Sequence, residues 1–252
     1  QTARRPVILL GGCPCPGPGP MRMVPTCRSG VRGYSSKRPR RSRQPLLTHV
    51  ESKGSISPGP PLNETTDKSA LRLAARASRT TFVAGLDPMA HRLAFRALPS
   101  PVRILLARRD IIALYAQVND EAPALRLAEA LLAAGKTLCL PRAIDRIGTM
   151  EFRAWSPGDV LEEGPFATRH PSSDAPLVHP QAIIAPLLAF DGKLMRLGQG
   201  GGYYDRAFAR YEDALRIGLA WSVQQMEEVP ADPWDMPLHL VITERSLIEA
   251  AE

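Results

Sequence analysis

The sequence predicts an α/β fold, a mostly parallel sheet with helices on both faces in three layers, behind a disordered basic N-terminal leader. Short apolar runs alternate with helix-like stretches from about residue 67 onward. Residues 1 to about 65 are instead rich in Pro, Gly, Arg and Ser, with PCPGPGP at 14–20 and KRPRRSR at 37–43. With 252 residues and 44% apolar side chains, the chain can bury one full core beside such a leader.

The leader, residues 1–65, cannot bury enough apolar area to offset its ordering entropy, and disorder is expected there. It also carries the charge. The whole chain is +7, yet residues 1–50 hold ten Arg and Lys and no acid, leaving 22 basic against 25 acidic residues, or −3, for the rest. The body, residues 66–252, is therefore no polyanion binder, and nucleic acid is not an expected partner. Three readings of the leader stand side by side: upstream sequence from a wrongly chosen start, an organelle-targeting segment with RGYSS at 32–36, or a basic arm. A cytoplasmic location is expected, with a mitochondrial or other organellar one if the leader targets. Cys139 is the body's lone cysteine, which excludes a disulfide framework there. No apolar run reaches the eighteen or so residues that a membrane span needs.

The body opens with a helix capped by Asp67 and running to about Arg79, with Lys68, Arg72, Arg76 and Arg79 recurring along one face. Asp87-Pro88 predicts a second helix start. A strand near Ile111–Ala116 leads into a turn at Val118–Glu121, then a helix from about Pro123 to Ala134 closed by Gly135. Further strands are expected at Thr137–Leu140, Met150–Arg153, Ala182–Pro186, Arg216–Trp221 and His239–Thr243, with a final helix over Glu244–Ala251. Residues 155–180 read as irregular, with His170 and His179 on loop surface.

The densest chemical signal is IIAPLLAFDGKLMRLGQGGGYYDR at 183–206. An apolar strand ends at Pro186, and Gly198, Gly200, Gly201 and Gly202 then fall within five residues. Such a loop lets backbone N–H groups approach a ligand, and helix from Tyr203 onward would place a helix N-terminus beneath it, favourable for phosphate. Arg196 offers a guanidinium fork for phosphate oxygens, and Asp205 a carboxylate for a magnesium–nucleotide complex. The loop lacks the Gly-Lys-Ser/Thr of a Walker loop and has Tyr203 where a dinucleotide fingerprint needs glycine. Glycines alone would fit equally a flexible turn before an amphipathic helix. The flanking Arg196, Tyr203, Tyr204 and Asp205 favour function.

RLGQGGGYYDR at 196–206, preceded by APLLAFD at 185–191, closely resembles the signature of the 5-formyltetrahydrofolate cyclo-ligases, also called methenyltetrahydrofolate synthetases. DKSALR at 67–72, YAQVNDE at 115–121 and VPADPWDMP at 229–237 resemble three further family segments in family order. The resemblance covers roughly residues 67–245 and implies ATP- and magnesium-dependent closure of 5-formyltetrahydrofolate, free or polyglutamylated, to 5,10-methenyltetrahydrofolate by a monomeric enzyme. It assigns Lys68, Arg72 and Arg196 catalytic phosphate contacts and extends the ATP site over Leu197, Gly198, Gln199, Gly200, Gly201, Gly202, Tyr203 and Tyr204. Tyr115, Glu121, Gly200, Gly202 and Tyr203 would meet the folate, with Val118 beside Tyr115 lining the pterin pocket. Asp205 and Asp235 would hold magnesium, with Asp232 a close competitor to Asp235. Arg76 and Arg79 read as a solvated face. The chain departs from the pattern at Gly201, where some members carry Lys, and at Trp234 and His239. A non-catalytic nucleotide- or sugar-phosphate-binding protein on the same scaffold is the alternative.

Overall fold

Apolar side chains on the central strands point alternately into two cores, one on each face of a single large sheet. The computed structural model describes residues 68–145 and 147–250; the leader and the expected cap Asp67 lie outside them. Helices α1 (Lys68–Ala84), α2 (Pro88–Leu93) and α3 (Ser100–Leu106) precede β1 (Ile111–Ala113). After β1 come a 3₁₀ turn (Ala124–Leu127), α4 (Ala128–Ala133), β2 (Thr137–Ala143) and β3 (Met150–Ala154). Three short strands follow: β4 (Glu162–Glu163), β5 (Arg169–His170) and β6 (Leu177–Val178). Next are β7 (Ala182–Pro186), β8 (Ala189–Phe190), β9 (Arg196–Leu197) and α5 (Tyr203–Arg210). The chain ends in β10 (Leu215–Leu219), β11 (Leu240–Ile242) and β12 (Leu247–Glu249).

The large sheet has the order β12-β11-β10-β7-β1-β2-β3-β6. Neighbours from β11 through β2 are parallel, while β3, β6 and β12 pair antiparallel with their neighbours at the edges. Ile112, Leu114, Leu138, Leu140, Ile184 and Ile217 join Leu106 of α3 and Leu131 of α4 in the first core. Ala113, Cys139, Ile183, Ala185 and Phe152 join Phe208 of α5 in the second. This two-residue alternation, apolar on both sides, is what a strand buried on both faces requires. The three-layer expectation is borne out.

Local signals place several boundaries. The Asp87 side chain accepts the Met89 and Ala90 amides at 2.9 and 3.0 Å and caps α2 with Pro88 in its first turn. Gly135, at φ +75°, ends the α4 segment. Two expectations are corrected. The chain's end is not a helix: Thr243 Oγ1 accepts the Arg245 and Ser246 amides, forming a turn that returns β12 antiparallel to β11. Leu247 and Ile248 then reach opposite cores, a two-residue period that no helix supplies. His170 is buried rather than on loop surface, because β4 and β5 form a hairpin and its Nδ1 sits 3.0 Å from the Pro171 carbonyl. Helix α3 had no sequence expectation; its Val102 and Leu106 are buried, whereas Ile104 and Leu105 are exposed and blur the pattern.

The strand order contains a topological switch. From β1 the chain moves outward to β2 on one side, then returns to β7 on the other and proceeds to β10 and β11. Open α/β sheets bind ligands outside the strand carboxyl ends at such a point. Phe152 is fully buried in the second core, and its ring meets Tyr211 edge-on at 5.4 Å between centroids. Phe152→Ala should destabilise the fold by about 3–5 kcal/mol, read as a lower denaturation midpoint; a loss within experimental error would show that this core does not depend on it.

Candidate active site

Two segments leave the sheet at the switch point, one after β1 and one after β7. The first runs through Tyr115 to Glu121, where the Glu121 amide donates to the Val118 carbonyl at 3.2 Å and closes the expected turn. Glu121 Oε2 in turn accepts the Val118 amide at 3.0 Å. Burial raises the Glu121 carboxyl above its ordinary pKa against the pull of that amide, of Arg79 and of Gln199. Tyr115 is buried in the first core, and its hydroxyl donates to the Ala122 carbonyl.

The second segment is the glycine loop. Strands β8 and β9 form a small hairpin, stapled by Asp191, which is only 1% exposed. Its carboxylate accepts the Lys193, Met195 and Val229 amides at 2.9, 3.0 and 2.9 Å, binding the hairpin to the 226–237 segment. Gln224 adds a second staple, donating to the Leu187 and Leu188 carbonyls at 2.7 and 3.1 Å. Sequence reading placed Asp191 in this turn without a role and passed over Gln224; three outward amides within reach of one acid leave no linear signature.

Beyond the hairpin, Gly200 and Gly202 stand at φ +102° and +66°, where a side chain is strained. Gly202 is the N-cap of α5, so the loop does deliver the chain to a helix N-terminus. Arg196 is 8% exposed and lies under the loop rather than at its mouth. Its Nη2 donates to both Asp205 oxygens at 2.9 and 3.0 Å, and its guanidinium lies 5.5 and 5.6 Å from the Tyr204 and Phe208 ring centres. Arg196 and Asp205, read in the sequence as separate phosphate and magnesium ligands, are therefore paired to each other. The Tyr203 hydroxyl donates to the Asp145 carbonyl at 2.7 Å, while burial raises the Tyr204 phenol well above its ordinary range.

A third segment, 229–237, closes the site from the side of α1. Lys68 Nζ donates to Asp232 at 2.6 Å and to Asp235 at 2.7 Å, and the Asp232 amide donates to Asp235 at 2.8 Å. Burial opposes the Lys68 charge, but the two carboxylates outweigh it and its pKa is raised. Asp235 is pushed up by burial and pulled further down by the Asp232 amide, Lys68 and the more distant Arg196. Neither acid of the Asp232/Asp235 choice stands apart, since both hold one ammonium.

Helix α1 thus reaches every loop of the site. Arg72 Nε donates to the Gly198 carbonyl at 3.0 Å, and Arg76 Nη2 to Gln199 Oε1 at 2.6 Å. Gln199 Nε2 approaches Glu121 Oε1 at 3.4 Å, so the glycine loop and the Glu121 turn touch. Lys68 and Arg72 lie one turn apart on α1, the first bonded to the 229–237 segment and the second to the glycine loop. Arg79 corrects its expectation: it is 2% exposed, and its Nε and Nη2 donate to Asp120 Oδ1 at 2.9 and 2.7 Å. Arg76 is exposed, as read.

Among the described residues, no group of three or more His, Cys, Asp or Glu is arranged to hold a metal. The acids present, Asp205, Asp232 and Asp235, are each already bound to a cation. This donor set fits magnesium that arrives with nucleotide phosphate and keeps most of its water, and does not fit a protein-built metal cage. No helix among the described residues is long and apolar enough to cross a membrane.

Comparison with known proteins agrees with the geometry. The 5-formyltetrahydrofolate cyclo-ligase family model matches residues 65–244. A 5-formyltetrahydrofolate cyclo-ligase of Escherichia coli K12 is 32% identical over 139 residues, covering 52% of this chain and 76% of the relative. A mitochondrial member from Arabidopsis thaliana is 35% identical over 77 residues, 26% of this chain and 28% of the relative. The solved 5,10-methenyltetrahydrofolate synthetase of Aquifex aeolicus superposes with a TM-score of 0.59 at 28% identity, covering 73% of this chain and 93% of that one. The corresponding Mycoplasma pneumoniae structure shares the fold at 22% identity with a TM-score of 0.54, over 71% of this chain and 99% of that one. Since the family match spans well over half the sequence and includes all three loops at the switch point, the chain belongs to the 5-formyltetrahydrofolate cyclo-ligase family.

Proposed function

We propose that the protein closes 5-formyltetrahydrofolate to 5,10-methenyltetrahydrofolate, consuming ATP and releasing ADP and phosphate. The observation that carries this reading is the convergence of a glycine loop, the α1 cations and a half-buried carboxylate, Glu121, at the switch point of a family member. The formyl oxygen on nitrogen 5 is a poor leaving group and must first be activated. Transfer of the γ-phosphoryl group to that oxygen gives an imidate phosphate. Nitrogen 10 then attacks the formyl carbon and loses its proton, and the oxygen departs with phosphate. No enzyme nucleophile takes part, so the protein's work is positioning and charge stabilisation.

The chain's groups divide accordingly. Lys68, Arg72 and Arg196 stabilise the phosphates, and the Gly198–Gly202 backbone cradles them beside the formyl group. Glu121, ionised, receives the donor edge of the pterin. Asp205 and Asp235 would hold magnesium directly or through water, and the ion would offset phosphate charge there. The pairing of Arg196 with Asp205 gives its guanidinium a fixed orientation before ligand arrives.

An assay with 5-formyltetrahydrofolate, ATP and magnesium should develop the near-ultraviolet absorbance of the methenyl product, and no absorbance change with active protein would refute the assignment. Arg196→Ala should lower ATP-dependent turnover by about 10²–10³; unchanged turnover would remove Arg196 from the site. Glu121→Gln should raise the KM for the folate by about 10–100-fold, the range for a lost charged hydrogen bond. Its stability should change in the opposite sense. Because burial raises the Glu121 pKa, the ionised form costs folding free energy above the ordinary glutamate range and nothing below it. Melting temperature of the glutamine variant should match or exceed the parent's at neutral pH, with any advantage fading as pH falls through that range. A lower melting temperature at neutral pH would contradict this origin.

A further inference from the structure

Arg79 has no part in the contacts assigned above, yet it is among the few charged residues that the fold buries. It stands seven residues beyond Arg72 on α1, so both project from one face of the helix. Its Nε and Nη2 meet Asp120 Oδ1 at 2.9 and 2.7 Å, and the exposed Thr80 hydroxyl donates to Asp120 Oδ2. The Asp120 carbonyl accepts the Trp221 indole N–H at 3.0 Å, and Trp221 is itself fully buried against Phe82 and Phe95. Asp120 is therefore gripped from α1 through its carboxylate and from the segment after β10 through its backbone. It is the residue immediately before Glu121.

An apolar pair of similar volume could fasten two elements at equal or lower cost than a buried ion pair. What such a pair could not supply is a hydrogen-bonded grip on Asp120, the residue next to Glu121, together with a charge that acts on Glu121. The groups acting on Glu121 are the Val118 amide, Arg79, Gln199 and Asp120, while Glu121 acts in turn on the buried phenols of Tyr115 and Tyr204. Of these neighbours Arg79 alone carries a cation. Its Nη1 is buried with no acceptor among the described residues, so Asp120 does not saturate the fork.

We infer that Arg79, with Asp120 as its handle, is a positioning residue for folate: it fixes the Val118–Glu121 turn and so the place from which Glu121 meets the ligand. The inference rests on the proposed role of Glu121 toward the pterin. It predicts a selective defect, because the glycine loop, besides its Gln199 contact with Glu121, has fastenings of its own in Arg72 and in the stapled hairpin that precedes it.

Full-length wild type and Arg79→Gln are to be compared by calorimetric titration with 5-formyltetrahydrofolate and, separately, with ADP and magnesium, alongside thermal melts. The expected result is folate affinity weaker by about 10-fold or more, the range for a lost charged contact, with ADP affinity within about two-fold. Arg79→Lys should restore part of the folate affinity by returning the charge. Equal weakening of both ligands, or losses that track melting temperature alone, would overturn the inference in favour of a purely structural pair. If Arg79→Gln does not fold, Thr80→Ala removes one support of Asp120 from an exposed position, and a smaller folate-selective loss is expected; none would overturn the clamp. Wild-type protein that fails to bind the folate would overturn both this inference and the reading beneath it. Wild-type binding that Arg79→Gln leaves intact would overturn the clamp alone.

Discussion

Helix α1 is the spine on which the site hangs, and its row of cations is the constraint that the other loops obey. Lys68 holds the 229–237 segment, Arg72 and Arg76 the glycine loop, and Arg79 the turn that ends in Glu121. These three loops come from distant parts of the sequence and share no strand pairing. A sheet can only bring their roots together at the carboxyl ends of its strands. Gln199 and Asp191 link them in pairs, and α1 alone among the described helices bonds to all three. The seventeen residues of Lys68–Ala84 give about four and a half turns, enough to space four cations at three- and four-residue steps.

Lys68 of that row, with Arg196 of β9, sets the electrostatics of the site. On the proposed function, phosphate would carry negative charge into a region that already contains Asp205, Asp232 and Asp235. Left unpaired, those acids would repel it. Each is instead paired, Asp205 with Arg196 and the other two sharing Lys68, so three carboxylates are offset by two cations. Partly buried pairs of this kind contribute modestly to stability, because desolvation offsets much of their attraction. Their value here lies in orientation: a guanidinium held by both oxygens of Asp205 has little rotamer freedom left to lose when it meets another anion.

Much of this was legible in the sequence because the signals are local. Strand alternation, the Asp87-Pro88 cap, Gly135 and the glycine run each depend on residues within one turn of each other, and the elements they predicted are present. The failures share the opposite property. Arg79 looked like one more solvent-facing cation, since its burial is decided by Asp120, forty-one residues on. Glu244–Ala251 has helix-forming composition, but an edge position beside β11 and the Thr243 turn select a strand. Asp191 and Gln224 bind backbone amides and carbonyls, partners that carry no sequence identity at all. The site residues were found by type and spacing; how they are held was not, because holding is done by contacts across the sheet.

That division bears on why a half-buried glutamate stands at position 121. Burial makes its ionised form unfavourable, and nothing in the packing of the turn requires a carboxylate rather than an amide. A residue that costs folding free energy at neutral pH and could be replaced isosterically is expected where activity, not stability, sets the choice. Arg79 follows the same logic one step further out: a desolvated guanidinium with one nitrogen left without an acceptor is a poor way to join a helix to a turn. Each ion is hard to justify alone, and each becomes intelligible when the other is present. Together they place the Glu121 turn at the rim of the sheet, where the folate would be read.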